Sequence, residues 1–169
     1  MDVETAIRTR RTHKAFGPEP LAREQLEELL ELASWAPNHN LTVPWRFRVL
    51  GPASLARLKE AAGPEGAAKL DRAPTLLVVS CLLSGEPEAD EEDLHATAVA
   101  SYIVLLAAHA RGLAGYWRTP AVLRGEPGRA AVGLPPRERF VGLLHLGTPR
   151  QERPAPERPG HEATTVYLD

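Results

Sequence analysis

Three short stretches of this chain carry side chains suited to holding a charged, flat ligand. The first, Arg10-Arg11-Thr12-His13-Lys14-Ala15-Phe16, places four basic or potentially cationic residues within seven positions. It follows a predicted helix, whose C-terminal dipole repels anions, so any phosphate there must be held by side chains. Two guanidiniums offer paired donors and Thr12 adds a hydroxyl. The same residues would also serve a plain helix end that balances its own dipole. The second stretch is Ala36-Pro37-Asn38-His39-Asn40-Leu41-Thr42-Val43-Pro44-Trp45. It is a loop bounded by two prolines, rich in hydrogen-bonding groups, with an imidazole at its middle. The third, Gly112-Leu113-Ala114-Gly115-Tyr116-Trp117-Arg118-Thr119-Pro120, combines glycines that permit close backbone approach with an aromatic pair, a guanidinium and a hydroxyl.

Other chemistries find less support. Ser80, Ser84 and Ser101 lack a convincing His and Asp arrangement for nucleophilic catalysis. The six histidines show no His-x-x-x-His spacing, so neither a protein nucleophile nor a catalytic metal is expected. Cys81 is the single cysteine and stands in an apolar run, which marks it as a core thiol.

These stretches must be positioned by surrounding elements, and the pattern of apolar residues says which. Residues 2–9 predict a short helix capped by Asp2, and Leu26, Leu29, Leu30 and Ala33 predict an amphipathic helix over 22–35, stopped by Pro37. Trp45 to Leu50 alternates, with Phe47 and Val49 expected inward and Arg46 and Arg48 outward. Helix is expected over 53–62, a doubly buried strand over 75–83, and a long, mostly buried helix over 91–111 ended by Gly112. A strand beginning near Tyr116, a short helix over 128–132 and a last strand over 140–146 complete the order. Helices and strands do not alternate as in a Rossmann domain, so the expected fold class is a layered α+β sandwich.

Composition sets the frame. The chain has 169 residues, of which 43% are hydrophobic and 25% charged, with a formal net charge of −2. One domain of that size can bury a substantial core. Nothing in the charge balance favours nucleic acid or an anionic membrane, and neither is an expected partner. No run is read as a membrane span, the start Met1-Asp2-Val3-Glu4 is not read as a signal peptide, and the cytoplasm is the expected location. Residues 1–147 are taken as one domain and 148–169 as a Pro-rich arm. The arm ends in the β-prone Thr164-Thr165-Val166-Tyr167-Leu168, suited to reaching a dimer partner's sheet edge.

Taken in order and spacing, the three stretches resemble the nitroreductase family. Its members open with Arg-Arg-Ser-x-Arg-x-Phe, carry Ala-Pro-Ser-x-x-Asn-x-Gln-Pro-Trp after the next helix, and Gly-Leu-Gly-x-x-Trp after the long one. The closing Val141-Gly142-Leu143-Leu144-His145-Leu146-Gly147-Thr148-Pro149 resembles the family's last core strand and its Gly-x-Pro end. The resemblance implies a central, mostly antiparallel sheet flanked by helices in an intertwined homodimer, with FMN at the interface. It implies NADH or NADPH as electron donor and a small-molecule electron acceptor, such as a nitro compound or quinone, in ping-pong turnover. Arg10 and Thr12 then correspond to phosphate and ribityl ligands, with Arg11 beside them and Lys14 in the second basic place. Trp35, His39 and Asn40 fall in the flavin-facing region, His39 reaching the partner's flavin. Trp117, Arg118 and Thr119 line the isoalloxazine ring.

The chain departs from the family pattern at Asn38, Leu41 and Val43, where Ser, Asn and Gln are usual, and at Pro120, where glycine is common. Each lost hydrogen bond would weaken flavin binding by about 0.5–1.5 kcal/mol. Two other functions share these motifs: a flavin-binding protein without reductase turnover, and a relative that has lost FMN.

Overall fold

The computed structural model describes residues 1–151, 154 and 157–169. Its helices are α1 (Val3–Thr9), α2 (Arg23–Ala33), α3 (Pro52–Leu70), α4 (Pro87–Ala110) and α5 (Glu126–Ala131), and its strands are β1 (Trp45–Val49), β2 (Thr75–Leu82), β3 (Ala114–Arg118) and β4 (Glu138–Gly147). The four strands form one antiparallel sheet in the order β1-β2-β4-β3. The α+β sandwich with an antiparallel centre is therefore the fold observed.

Strand alternation divides the core in two. Leu77 and Val79 of β2 and Leu144 and Leu146 of β4 meet Leu26, Leu29, Ala100, Val104 and Ala108 of α2 and α4. Leu76 and Val78 of β2 and Leu143 of β4 point the other way, against Leu58 and Leu70 of α3, Leu123, and Ala131 of α5. A strand covered on both faces needs a continuous apolar run, and β2 is one. Cys81 lies within it, fully buried, and burial raises its thiol pKa above the ordinary range.

Local signals set most boundaries. Asp2 caps α1, its Oδ1 accepting from the Thr5 N–H at 2.9 Å. Gly112, at φ 76°, ends α4 as its position predicts. Helix α3 runs past the expected 53–62. It breaks at Gly63 (φ 67°) before Pro64 and then resumes, burying Leu70. Helix α4 is long and apolar enough to cross a membrane by length and composition alone, a test that a buried core helix also meets. It is the central helix of the first core, with Ala100 and Val104 buried and Val99 and Tyr102 exposed.

The alternation expected in β1 holds only in part. Phe47 packs on the first core, but Val49 is exposed and Arg48 turns inward. As an edge strand, β1 sends the Arg48 side chain across β2 to a buried carboxylate on β4, Glu138. Ser80, between them, donates to the same carboxylate at 2.5 Å.

Candidate functional site

The basic stretch that follows α1 runs beside the edge strand β3. Thr12 bridges Gly115 in parallel, and the His13 N–H donates to the Gly115 carbonyl at 3.2 Å. Phe16, buried in the second core, anchors its far end. Arg10 and Arg11 then serve different ends. Arg11 folds back on the carbonyls of Arg10 (2.5 Å), Arg8 (2.7 Å) and Pro154 (3.3 Å), satisfying a helix terminus and the start of the tail. Arg10 instead lies over the Tyr102 ring of α4, 5.6 Å from its centroid. Its Nε is buried with no hydrogen-bond partner among the described residues. Thr12 and Lys14 are exposed beside it.

The electrostatic field here is positive. His109, in the last turn of α4, has its pKa lowered first by burial and then by Arg10, His13 and Arg11. Its Nε2 lies 2.8 Å from the Thr9 hydroxyl. Next to it opens a cavity of about 490 Å³ whose lining includes Thr9, Arg11, His13, His109 and Leu113. A field that disfavours a second positive charge favours an anion. An orphaned guanidinium nitrogen, a hydroxyl and a lysine are a donor set matched to phosphate.

The loop between α2 and β1 is strained. Asn40, Leu41 and Val43 have φ of 50°, 53° and 48°. Asparagine tolerates that region, whereas a β-branched valine is an outlier there. Side chains help hold the loop: Asn38 Oδ1 accepts from the Val43 N–H at 2.9 Å, and the Thr42 hydroxyl donates to the buried Asp93 of α4 at 2.5 Å. His39 is exposed, with Nδ1 4.0 Å from Glu92. Trp35 and Leu41 are each 80% exposed, an unusual cost for such apolar side chains on a lone chain. Replacing Val43 with glycine should raise the unfolding free energy by about 1 kcal/mol, because relief of strain exceeds glycine's entropic penalty. Urea unfolding of the two proteins checks this, and a less stable variant would contradict it.

Strand β3 divides the third stretch between the two faces of the sheet. Trp117 packs against the α2/α4 core and donates its indole N–H to the Val141 carbonyl at 3.3 Å. Val141 is the extra residue of a bulge in β4, since Val79 pairs with Gly142 and Ser80 with Phe140. Gly142 is required beneath the indole, because a Cβ there would collide with Trp117 Nε1. Arg118 goes to the opposite layer, donating to the Lys69 carbonyl at 3.2 Å and stacking 5.9 Å from the Tyr116 ring centroid. Thr119 follows the strand end and is exposed. Thus the structure brings Arg10, Thr12 and Lys14 beside the strand that carries Trp117, and turns Arg118 away from Trp117.

Two neighbours of Arg10 were not anticipated, Tyr102 and His109. An aromatic and a histidine within the otherwise small and apolar run Ala96–Ala110 are the available signals. Among the described residues no group of three or more His, Cys, Asp or Glu could hold a metal ion.

Comparison with known proteins bears on this arrangement. Residues 7–69 match the model of the nitroreductase family. A Haemophilus influenzae protein named "Putative NAD(P)H nitroreductase" is 31% identical over 164 residues, covering 88% of this chain and 89% of its own. The 5,6-dimethylbenzimidazole synthase of Rhodospirillum rubrum is 29% identical, covering 92% and 85%. Among solved structures, a nitroreductase-like family protein from Bacillus cereus superposes with a TM-score of 0.89 at 23% identity, covering 100% and 97%. A Desulfovibrio desulfuricans structure in complex with FMN gives 0.81 at 26% identity, covering 100% and 98%.

Proposed function

Since the chain belongs to the nitroreductase family, we propose that it is an FMN-dependent oxidoreductase. It passes two electrons from NADH or NADPH to nitro compounds, quinones or similar small acceptors by ping-pong turnover. The observation that carries this reading is Arg10, whose Nε is buried without a hydrogen-bond partner among the described residues, in a positive field. When bound, FMN supplies the hydride chemistry, and the protein supplies placement and polarity. Arg10, Thr12 and Lys14 would hold the phosphate and ribityl chain, with Arg11 fixing the backbone behind them. Trp117 would support the ring, held by Val141 and Gly142. Arg118 and Thr119 would act from the end of β3.

We further propose a homodimer. Val3 and Ile7 of α1, Val99 and Tyr102 of α4, and Trp35 and Leu41 all expose apolar surface that a second copy would cover. Trp35, His39 and Asn40 would then reach the partner's flavin. Residues 1–147 would form the domain and 148–169 the crossing arm. The arm begins pinned to its own chain, by Gly17 N–H to the Thr148 carbonyl and Arg150 N–H to the Ala15 carbonyl. Residues 152, 153, 155 and 156 of it lie outside the described residues. Beyond them Val166, Tyr167 and Leu168 are more than 80% exposed and form no strand with their own chain, which suits a sheet edge elsewhere. The proposed location is the cytoplasm, whose reducing conditions suit the free thiol of Cys81.

A visible spectrum before and after adding FMN, followed by anaerobic NADH or NADPH, tests the reading. Bound flavin that bleaches and is reoxidised by a quinone is the expected result. Arg10→Gln should weaken FMN binding about ten- to hundredfold while leaving the fold intact, as loss of a charge-assisted hydrogen bond predicts. A titration showing unchanged affinity would remove Arg10 from the site. One observation favours a second reading, flavin binding without reductase turnover: the Rhodospirillum rubrum synthase, itself not named as a reductase, covers as much of the chain at similar identity. Flavin that binds but does not bleach would select that reading.

A further inference from the structure

Away from the Arg10–Lys14 segment, the turn Ala121–Arg124, α5 and the start of β4 border a second, open cavity of about 420 Å³. Among the described residues its lining is Arg124, Arg129, Arg139 and Phe140, with no carboxylate. Among the described residues none of these three arginines has an ion-pair partner. The closest acid in sequence, Glu138, is already held by Arg48 and Ser80 and gives Arg129 only its backbone carbonyl. Glu126, at the exposed start of α5, is outside the lining.

Three guanidiniums around one space repel one another unless an anion lies between them. One of the three is fixed in place: Arg129 Nη2 donates to the Pro135 carbonyl at 2.6 Å and to the Glu138 carbonyl at 3.0 Å. That anchoring leaves its remaining N–H groups for a ligand and lowers the entropy lost on binding. Arg124 and Arg139 are exposed and can close from two sides. Phe140, half-buried, supplies a flat apolar wall. The volume lies within the usual range for small-molecule sites, roughly 300–1,000 Å³.

We propose that this cavity is a binding site for a phosphorylated small molecule, the phosphates gripped by Arg124, Arg129 and Arg139. The phosphate could belong to a nucleotide whose base meets Phe140, or to a free polyphosphate. Calorimetry on the full chain, loaded with one equivalent of FMN and freed of excess in a phosphate-free buffer of low salt, separates these sources. The probes are adenosine 2′,5′-bisphosphate, pyrophosphate and unphosphorylated adenosine.

The two anions should bind at one site per chain, adenosine should not, and added salt should weaken binding. Arg124→Gln and Arg139→Gln should each cost about tenfold in affinity, as loss of a charge-assisted bond predicts. Arg23→Gln, at the exposed start of α2, should change nothing. Tighter binding of the bisphosphate than of pyrophosphate identifies a nucleotide; equal binding identifies the phosphate alone. Absence of binding by both anions overturns the proposal. So does binding that Arg124→Gln and Arg139→Gln leave unchanged, or that Arg23→Gln weakens as much. Arg129 is left intact because its carbonyl bonds also support the fold.

Discussion

Replacing Arg48 with methionine should lower the unfolding free energy by about 3–5 kcal/mol, the range for removing one partner of a buried pair. The Glu138 side chain is only 6% exposed, and Arg48 meets it with two bonds, at 2.7 and 2.9 Å. Burial by itself would raise the Glu138 carboxyl pKa, but the bonds from Arg48 and Ser80 outweigh it and hold the group below its ordinary 4.5. Removing Arg48 leaves a buried charge with a serine hydroxyl as its main support. The pair itself contributes little net stability, since taking two charges out of water offsets most of their attraction. Hence the double variant Arg48→Met with Glu138→Leu should recover most of the loss. Urea unfolding of the three variants checks both statements. A loss below about 1 kcal/mol for Arg48→Met would place the pair in water-like surroundings, where ion pairs contribute only that much.

Acidification should destabilise the protein before its carboxylates titrate, because of His145. This residue is fully buried in β4, and neither ring nitrogen has a hydrogen-bond partner among the described residues. Its ring centroid lies 5.8 Å from that of Tyr116. Burial first, then the charges of Arg118 and Arg72, lower its pKa to about 3. Above pH 6.5 the imidazole is neutral in both folded and unfolded chains, so it contributes no pH dependence. Below that value the unfolded chain takes up a proton that the folded chain refuses, and stability is lost until about pH 3. The loss should reach about 2 kcal/mol by pH 5. Glu138 behaves separately: its contribution is present above 4.5 and is lost as pH falls through its lowered folded pKa. His109, also lowered, adds a smaller slope of the same sign as His145. In His145→Leu most of the slope between pH 6.5 and 5 should vanish, as followed by the urea midpoint at each pH. A variant with the slope of the parent protein would show that His145 is protonated in the folded state.

Much of this architecture was legible along the chain. The run Thr75 to Leu82 is apolar at every position except Thr75 and Ser80, and a doubly covered strand suits that. Asp2, Gly112 and the breaks at proline marked helix ends because capping and backbone freedom are local properties. The basic run before Phe16 and the glycines before Trp117 marked where a ligand would be met, because residue types and spacing carry that information. Arg48 was misread because alternation says which way a side chain leaves the backbone, not what it meets two strands away.

The order of elements, the α+β class and the family therefore follow from the sequence by itself, through patterns that repeat over a few residues. What each arginine is for was decided only by tertiary structure. Arg10 and Arg11 are neighbours of one type, yet Arg11 caps carbonyls while Arg10 keeps a buried nitrogen with no partner among the described residues. Trp117 and Arg118 are neighbours that a strand sends to opposite layers. Arg124, Arg129 and Arg139 share a cavity only because a turn, a helix and a strand converge. The reason is the same in each case: a guanidinium's partners are set by contacts distant along the chain, and no local periodicity encodes them.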